Sequence, residues 1–329
     1  MRHQLETQIE NSILAEDRAR LNSRVHKLRG SFSNLYVKRD DELSFQVSGS
    51  KLRKLLGIKK LLLAESTKKI VIIGGLSSNH MVSSLHLARE LNLEIEIWTL
   101  KSHNSTLQGN RLISELLIDA SVDVKYIDRE QWDEAYPLAL KAYADEASVY
   151  VLNEGANQFD ALLSSMTLAL EISEWANGEK IDLWLEVGTG LLAQAVEIAS
   201  SLLALNIRLH LIMTASSEKD YCTQLERYKG QLAYAEPLYT ETARTFHKPV
   251  TAKSFGATNQ KVFKEIKKQA VLNGMLVDPI YGAKSLLTIE NYYAANKASS
   301  CKAVWVHGGG AMSVFGFTKK LESILSGSN

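Results

Sequence analysis

Five short segments hold residue types that chemistry uses, each beside glycine. The first is Ser48-Gly49-Ser50-Lys51-Leu52-Arg53-Lys54-Leu55, where helical spacing sets Lys51, Lys54 and Leu55 along one side. A lysine that forms an imine must lose its proton, which burial or nearby cations assist; Arg53 and Lys54 are such cations. Taken alone, a solvated basic helix start is the commoner meaning of this segment. The second is Ile70-Val71-Ile72-Ile73-Gly74-Gly75-Leu76-Ser77-Ser78-Asn79-His80, an apolar strand running into two glycines and a helix start. Glycine permits tight turning and close ligand approach. Ser78 or Asn79 is a natural N-cap, and the first-turn N–H groups suit a carboxylate or phosphate. Simple capping would explain the same residues.

The third segment, Leu183-Trp184-Leu185-Glu186-Val187-Gly188-Thr189-Gly190-Leu191-Leu192-Ala193, again runs strand, glycine turn, helix. It is not a P-loop, because no Gly-Lys-Ser/Thr follows, and Ala193 stands where G-x-G-x-x-G needs its third glycine. A phosphate cup and a bare tight turn both remain open. Val277-Asp278-Pro279-Ile280-Tyr281-Gly282-Ala283-Lys284 opens a helix, and Val304-Trp305-Val306-His307-Gly308-Gly309-Gly310 ends a strand in glycines. His307 by itself reads more readily as a hydrogen-bonded structural histidine than as a catalyst.

These segments must be positioned by short β-branched runs alternating with amphipathic helices. Strands are expected at Leu35–Lys38, Ile70–Ile73, Glu94–Thr99, Val122–Ile127, Val149–Leu152, Leu183–Val187, Arg208–Met213 and Ala303–Val306. Helices are expected at Lys51–Ser66, Asn79–Leu91, Asn110–Asp119, Gln131–Glu146, Phe159–Asn177, Leu191–Leu205, Asn259–Asn273, Lys284–Ala298 and Ser313–Ser326. Such alternation means an α/β fold with mostly parallel sheets, because a parallel neighbour requires a crossover connection. Ligands then sit beyond the carboxyl ends of the strands, where the five segments fall.

Composition bounds the rest. The 329 residues suffice for two domains, and 38 Lys+Arg against 37 Asp+Glu leave a charge of +1, so no global field draws the chain to nucleic acid or membrane. Cys222 and Cys301 are the two cysteines, too few for a disulfide framework, and no His/Cys cluster has metal-ligand spacing. Met1–Gly30 mixes basic and acidic residues without an apolar core, and reads as a helical arm packing on the body of a cytoplasmic protein. No strand leads into G-x-G-x-x-G with an acid about 20 residues on, which sets aside a nucleotide-binding dehydrogenase.

In chain order the segments resemble the D-cysteine desulfhydrase and 1-aminocyclopropane-1-carboxylate (ACC) deaminase family. Those are pyridoxal-phosphate enzymes of fold-type II, the tryptophan synthase β class. The motifs that carry the likeness are Lys38-Arg39-Asp40-Asp41-Glu42-Leu43, the Lys51 segment, Ser78-Asn79-His80, Gly109-Asn110-Arg111-Leu112, Gly188-Thr189-Gly190, Asp278-Pro279-Ile280-Tyr281 and His307-Gly308-Gly309-Gly310. They extend over roughly residues 34–317. The resemblance implies two three-layer α/β domains, the larger formed by 1–50 and 164–329 and the smaller by 51–163, inserted and carrying the lysine. It implies a pyridoxal 5'-phosphate cofactor, a small amino-acid substrate and a homodimer. Lys51 would hold the cofactor as a Schiff base and act as base at Cα. Asn79 would bond the phenolic oxygen; Gly188, Thr189, Gly190 and Leu191 would bind phosphate. Ser78, Asn79 and His80 would meet the substrate, with Tyr281 over it and Phe255 as an aromatic wall.

Departures cluster at the cofactor. Ser50 replaces the family's Asn, and in the phosphate loop either Leu191 and Leu192 replace a glycine and the final threonine or one residue is deleted. Phe255 stands for a tyrosine, Gly282 for the Thr or Glu that partners the ring nitrogen, and Gly308 for a threonine. Losing one hydrogen bond to a charged phosphate costs roughly 1.5–3 kcal/mol, which a covalent link and remaining backbone donors absorb. Gly282 and Gly308 supply no side chain at the ring nitrogen, so a weakened electron sink is expected. The expected activity is a lyase or deaminase that eliminates from a D-cysteine-like substrate rather than opening the ACC ring. The alternative is a non-catalytic family member that keeps the fold as a ligand-binding protein.

Overall fold

A computed structural model describes residues 2–30, 32–46, 48–101, 106–232, 242–296 and 301–326. Among the described residues ten strands form two sheets: β1 Val25–Lys27, β2 Leu35–Lys38, β3 Lys69–Ile73, β4 Glu94–Leu100, β5 Asp123–Ile127, β6 Val149–Leu152, β7 Ile181–Val187, β8 Ile207–Met213, β9 Arg244–His247 and β10 Lys302–Val306. One sheet has the order β1-β2-β10-β7-β8-β9 and the other β5-β4-β3-β6. All pairings are parallel except β1 with β2. The larger sheet draws strands from both ends of the chain, the smaller from the stretch between. Helices alternate with these strands, giving the α/β architecture with mostly parallel sheets that the alternation implies.

Central strands form where apolar runs are buried on both faces, as at Ile70, Val71, Ile72 and Ile73. One apolar cluster runs through both sheets, from Ile70 and Ile72 to Leu209 and Leu211, and includes Leu5 and Ile9 of the first helix, Arg2–Asn11. The N-terminal arm therefore packs on the body through Leu5 and Ile9.

The helix starting at Lys51 ends at Ala64, and Gly57 brings it so close to Ser164 that any side chain there would collide. Arg53 of this helix is fully buried and bridges Asp40 (Nε–Oδ2 2.6 Å) and Glu171 (Nη1–Oε1 2.6 Å). Lys38 adds a 2.5 Å ion pair to Glu171. The Lys38-Arg39-Asp40-Asp41 motif is thus part of the clamp that fixes the lysine-bearing helix.

Three expected helices are broken; Ser313–Ser326 is a 3-10 segment, Ala311–Phe317, followed by a helix, Thr318–Leu325. Gln131–Glu146 divides into a 3-10 segment, Arg129–Glu134, and a helix, Ala135–Ala142. Pro137 lacks an N–H and crowds the carbonyl four residues back, so it is tolerated only in a first turn. Phe159–Asn177 divides into Phe159–Ala161, Leu162–Ser165 and Thr167–Ala176. There Ser165 Oγ donates to Ala161 O (2.6 Å) and Thr167 Oγ1 to Ser164 O (2.6 Å), competing with the helical ladder. Strands β1 and β9 and the helix Glu218–Leu232 were not anticipated. The strands are short, polar edges; the helix is polar outside and buries Tyr221, Leu225 and Tyr228.

Candidate active site

Four strand ends converge. Gly74–Asn79 follows β3, Asn153–Gly155 follows β6, Gly188–Gly190 follows β7 and His307–Gly310 follows β10. Lys51 enters from the side. Its turn is locked by Ser50 N donating to Gly308 O (3.0 Å), and Gly49, at φ +54°, has no room for a side chain against that same carbonyl.

Lys51 is partly buried, and its amine makes no hydrogen bond or ion pair among the described residues. Burial lowers its pKa, against the opposing pull of Asp278 and Glu186. Lys54, one turn on, donates from Nζ to Gly155 O (2.8 Å). Burial, aided by the charge of Lys51, lowers the Lys54 pKa to about 7. Gly155 in turn packs on Thr189, whose Oγ1 would stand 2.7 Å from a methyl at that position. The Lys54 amine is therefore tied to the 188–190 turn through a single glycine. A cavity of about 250 Å³ opens beside Thr189, between Ile73, Asn153 and Glu154.

Asn79 begins the helix Asn79–Glu90. Its Oδ1 accepts from Asn110 Nδ2 at 2.6 Å, which commits the oxygen and turns the amide nitrogen outward as a donor. That nitrogen lies over Gly310, where a methyl would approach it to 2.8 Å. The Gly109-Asn110 motif thus orients Asn79. Ser78 is the N-cap: its Oγ accepts from Met81 N (3.0 Å), leaving the hydroxyl proton free to donate.

His80 is placed differently from the expectation. Its side chain is 4% exposed, lies under Gly74, and has Nδ1 3.3 Å from Ser84 Oγ. Burial, reinforced by Lys51 and Lys54, lowers its pKa to about 3, so the ring is neutral. A carboxylate at this helix start would meet first-turn backbone N–H groups rather than the imidazole.

Tyr281 lies against the phosphate turn, its hydroxyl 3.4 Å from where a methyl on Gly188 would be. Burial, then the charges of Asp278 and Glu186, raises its pKa, so the phenol stays protonated. Phe255 is 62% exposed at the rim, edge-on to Tyr281 with centroids 6.1 Å apart. Leu191 buries its side chain and starts the helix Leu191–Leu202 directly after Gly190, φ +98°. His307 is structural: its Nε2 lies 3.2 Å from Leu276 O, and its ring stacks on Trp305.

Glu186 has a place that the motif reading did not assign. Its Oε1 accepts from Trp305 Nε1 (3.2 Å), and its Oε2 faces the hollow over Gly308, 3.6 Å from a methyl placed there. Burial, then the neighbouring charge of Asp278, raises its pKa to about 8. The available signal was an acid inside an otherwise apolar strand, Leu183-Trp184-Leu185-Glu186-Val187. Gly282 is not a vacancy either. A methyl there would stand 3.2 Å from Val277 Cβ and 3.3 Å from Asp278 Oδ2, with Trp305 at 3.6 Å.

Known proteins resemble this chain in sequence and in fold. A family model described as pyridoxal-phosphate dependent enzyme matches residues 19–308. The chain is 27% identical over 297 residues to a D-cysteine desulfhydrase of Klebsiella pneumoniae (strain 342), covering 86% of this chain and 88% of that protein. A bifunctional D-cysteine desulfhydrase/1-aminocyclopropane-1-carboxylate deaminase, mitochondrial, of Arabidopsis thaliana is 23% identical over 310 residues, 89% of this chain and 76% of that one. The crystal structure of an ACC deaminase homologue superposes with a TM-score of 0.76 at 18% identity, over 92% of this chain and 93% of the other.

The residues present fit the cofactor of that family. Lys51 offers an unpaired amine, Asn79 a directed donor, and the 188–190 turn a helix start beside the Lys54 amine. The side chains of Leu191 and Leu192 remove donors from the turn but leave its backbone N–H groups. The chain belongs to the pyridoxal-phosphate dependent enzyme family.

Proposed function

We propose that this pyridoxal-phosphate enzyme eliminates the β-substituent of a small amino acid of the D-cysteine type, giving pyruvate, ammonia and sulfide. The observation that carries the reading is the Lys51 amine, desolvated, unpaired among the described residues, and close to two carboxyl groups. When bound, the cofactor supplies an electron sink for negative charge at Cα. Lys51 would hold it, Asn79 would donate to its phenolic oxygen, and the 188–191 backbone with Lys54 would take its phosphate.

The chain's own residues then divide the work. The substrate carboxylate is held at the Asn79–Glu90 helix start, where the Ser78 hydroxyl and first-turn N–H groups converge. Lys51, with its lowered pKa, takes the α-proton. The β-carbon–sulfur bond breaks and the thiol leaves as sulfide; one water completes the balance to pyruvate and ammonia. Tyr281 stays protonated, so it donates hydrogen bonds and does not compete as base. Phe255 supports elimination over ring opening, because the rim beside Tyr281 has an aromatic wall without a phenol to move a second proton.

The test is release of sulfide, pyruvate and ammonia from D-cysteine by the holoenzyme, beside ACC at equal concentration, with Lys51→Ala as control. Sulfide is expected from D-cysteine, at most trace ammonia from ACC, and neither from Lys51→Ala. Equal turnover of ACC would overturn the elimination reading. Absence of turnover on any D- or L-amino acid would overturn the lyase.

A further inference from the structure

We infer that Glu186, from strand β7, is the carboxyl group that holds and protonates the ring nitrogen of the cofactor in this protein. This rests on the reading that the cleft binds pyridoxal phosphate through Lys51. Three edges of such a ring are provided for: the amine at Lys51, the amide of Asn79, and the phosphate turn after β7. The partner of the ring nitrogen tunes how strong an electron sink the ring is, and a carboxyl group there strengthens it.

Two carboxyl groups are buried close to Lys51, and their bonding separates them. Asp278 is saturated: Oδ1 accepts from Ile280 N and Tyr281 N, both at 2.8 Å, and Oδ2 from Gly282 N at 2.9 Å. It holds the 278–282 turn. Glu186 has Oε1 fixed by Trp305, the Ser285 hydroxyl beside its carboxyl group, and Oε2 turned to the hollow over Gly308. The hollow exists because residue 308 is glycine; a side chain there would also press on Ser50 Oγ, 3.0 Å from the added carbon. Trp305 and Val277 fill the space that a side chain at 282 would need, and the same Trp305 aims Glu186. Ser50, Glu186, Gly282, Trp305 and Gly308 are therefore one packed arrangement in which the acid comes from β7.

The step balances without an outside reagent. The Glu186 Oε2–H bond breaks, an N–H bond forms at the ring nitrogen, and a carboxylate–pyridinium pair results. A carboxyl group held neutral beside Asp278 has such a proton to give.

The experiment is ¹⁵N NMR of holoenzyme reconstituted with ring-¹⁵N pyridoxal phosphate, wild type against Glu186→Gln, with visible absorbance confirming attachment at Lys51. A pyridinium signal is expected in the wild type, and an unprotonated pyridine signal in Glu186→Gln with the cofactor still attached. A kcat loss of about ten- to a hundredfold, with KM little changed, should accompany it, the size of one charge-assisted hydrogen bond. If Glu186→Gln does not fold, Glu186→Asp is read instead: the shortened acid should let the ring nitrogen lose its proton at lower pH than in the wild type. The same ring-nitrogen signal in wild type and variant, with cofactor attached, overturns the inference and leaves the cofactor reading standing. Failure of the wild type to take up cofactor overturns both.

Discussion

Glu186 keeps in the folded protein a proton that it would lose in water, because burial and the nearby Asp278 charge both disfavour its carboxylate. This has a cost for stability that can be signed. Between its ordinary value, 4.5, and about 8 the unfolded chain has released this proton while the folded protein retains it. Stability supplied by the neutral group is therefore lost as pH rises through that window. Glu186→Gln, which cannot ionise, should remove this component from the cofactor-free protein. Urea midpoints at pH 5 and pH 8 are expected to fall less in Glu186→Gln than in the wild type; equal falls would show that Glu186 ionises normally. On the inference above, the raised proton affinity serves the reaction, so one residue trades stability for chemistry.

The Lys51–Ala64 helix owes its position to charge as well as to apolar packing. Leu52, Leu55, Leu56, Ile58 and Leu62 face the core, and Arg53 is buried with them, which an unpaired guanidinium could not be. Asp40 and Glu171 pair it from two directions, and Ser23 Oγ donates to Asp40 at 2.7 Å. The lowered pKa of Asp40 comes from Arg53 overcoming the opposing effect of burial. Arg53→Met should cost about 3–5 kcal/mol in unfolding free energy, the penalty of leaving a buried acid without its partner. Adding Asp40→Asn should restore part of that loss. A cost below about 1 kcal/mol in the single variant would mean that apolar packing alone holds the helix.

Across the whole molecule, two neutral histidines, buried His80 and half-buried His247, weaken the fold in acid. His80 is depressed to about 3 and His247 to about 4, by burial first, then by cations at His80 and by His210 at His247. Both lie below the ordinary 6.5, so the stability they contribute is present above that pH. It is lost as pH falls from 6.5 toward 4, because the unfolded chain binds protons that the folded one refuses. In the Glu186→Gln background, where the opposing carboxyl proton is absent, urea midpoints should decline over that range with a slope approaching two protons, and His247→Phe should lower it by about one. An unchanged slope would place the acid sensitivity elsewhere. Among the described residues no helix is long and apolar enough to cross a membrane.

What the sequence determined by itself was local. Apolar runs, crossover helices and glycine-ended strands specify a parallel α/β fold, because strand period, turn chemistry and N-capping depend on residues a few positions apart. Lys51, Ser78, Asn79 and the 188–190 turn were legible for the same reason: each is a short pattern at a strand end or helix start. The broken helices at Pro137 and Ser165 and the edge strands β1 and β9 were weaker local signals, resolved by packing. Tertiary structure alone decided the acid. Gly282 and Gly308 read as missing side chains, whereas pairing of β10 with β7, Trp305 opposite Trp184, brings Glu186 alongside the start of the 307–310 loop. Sequence fixes that residue 186 is an acid in an apolar strand. Only the register between strands more than a hundred residues apart determines which hollow its second oxygen faces.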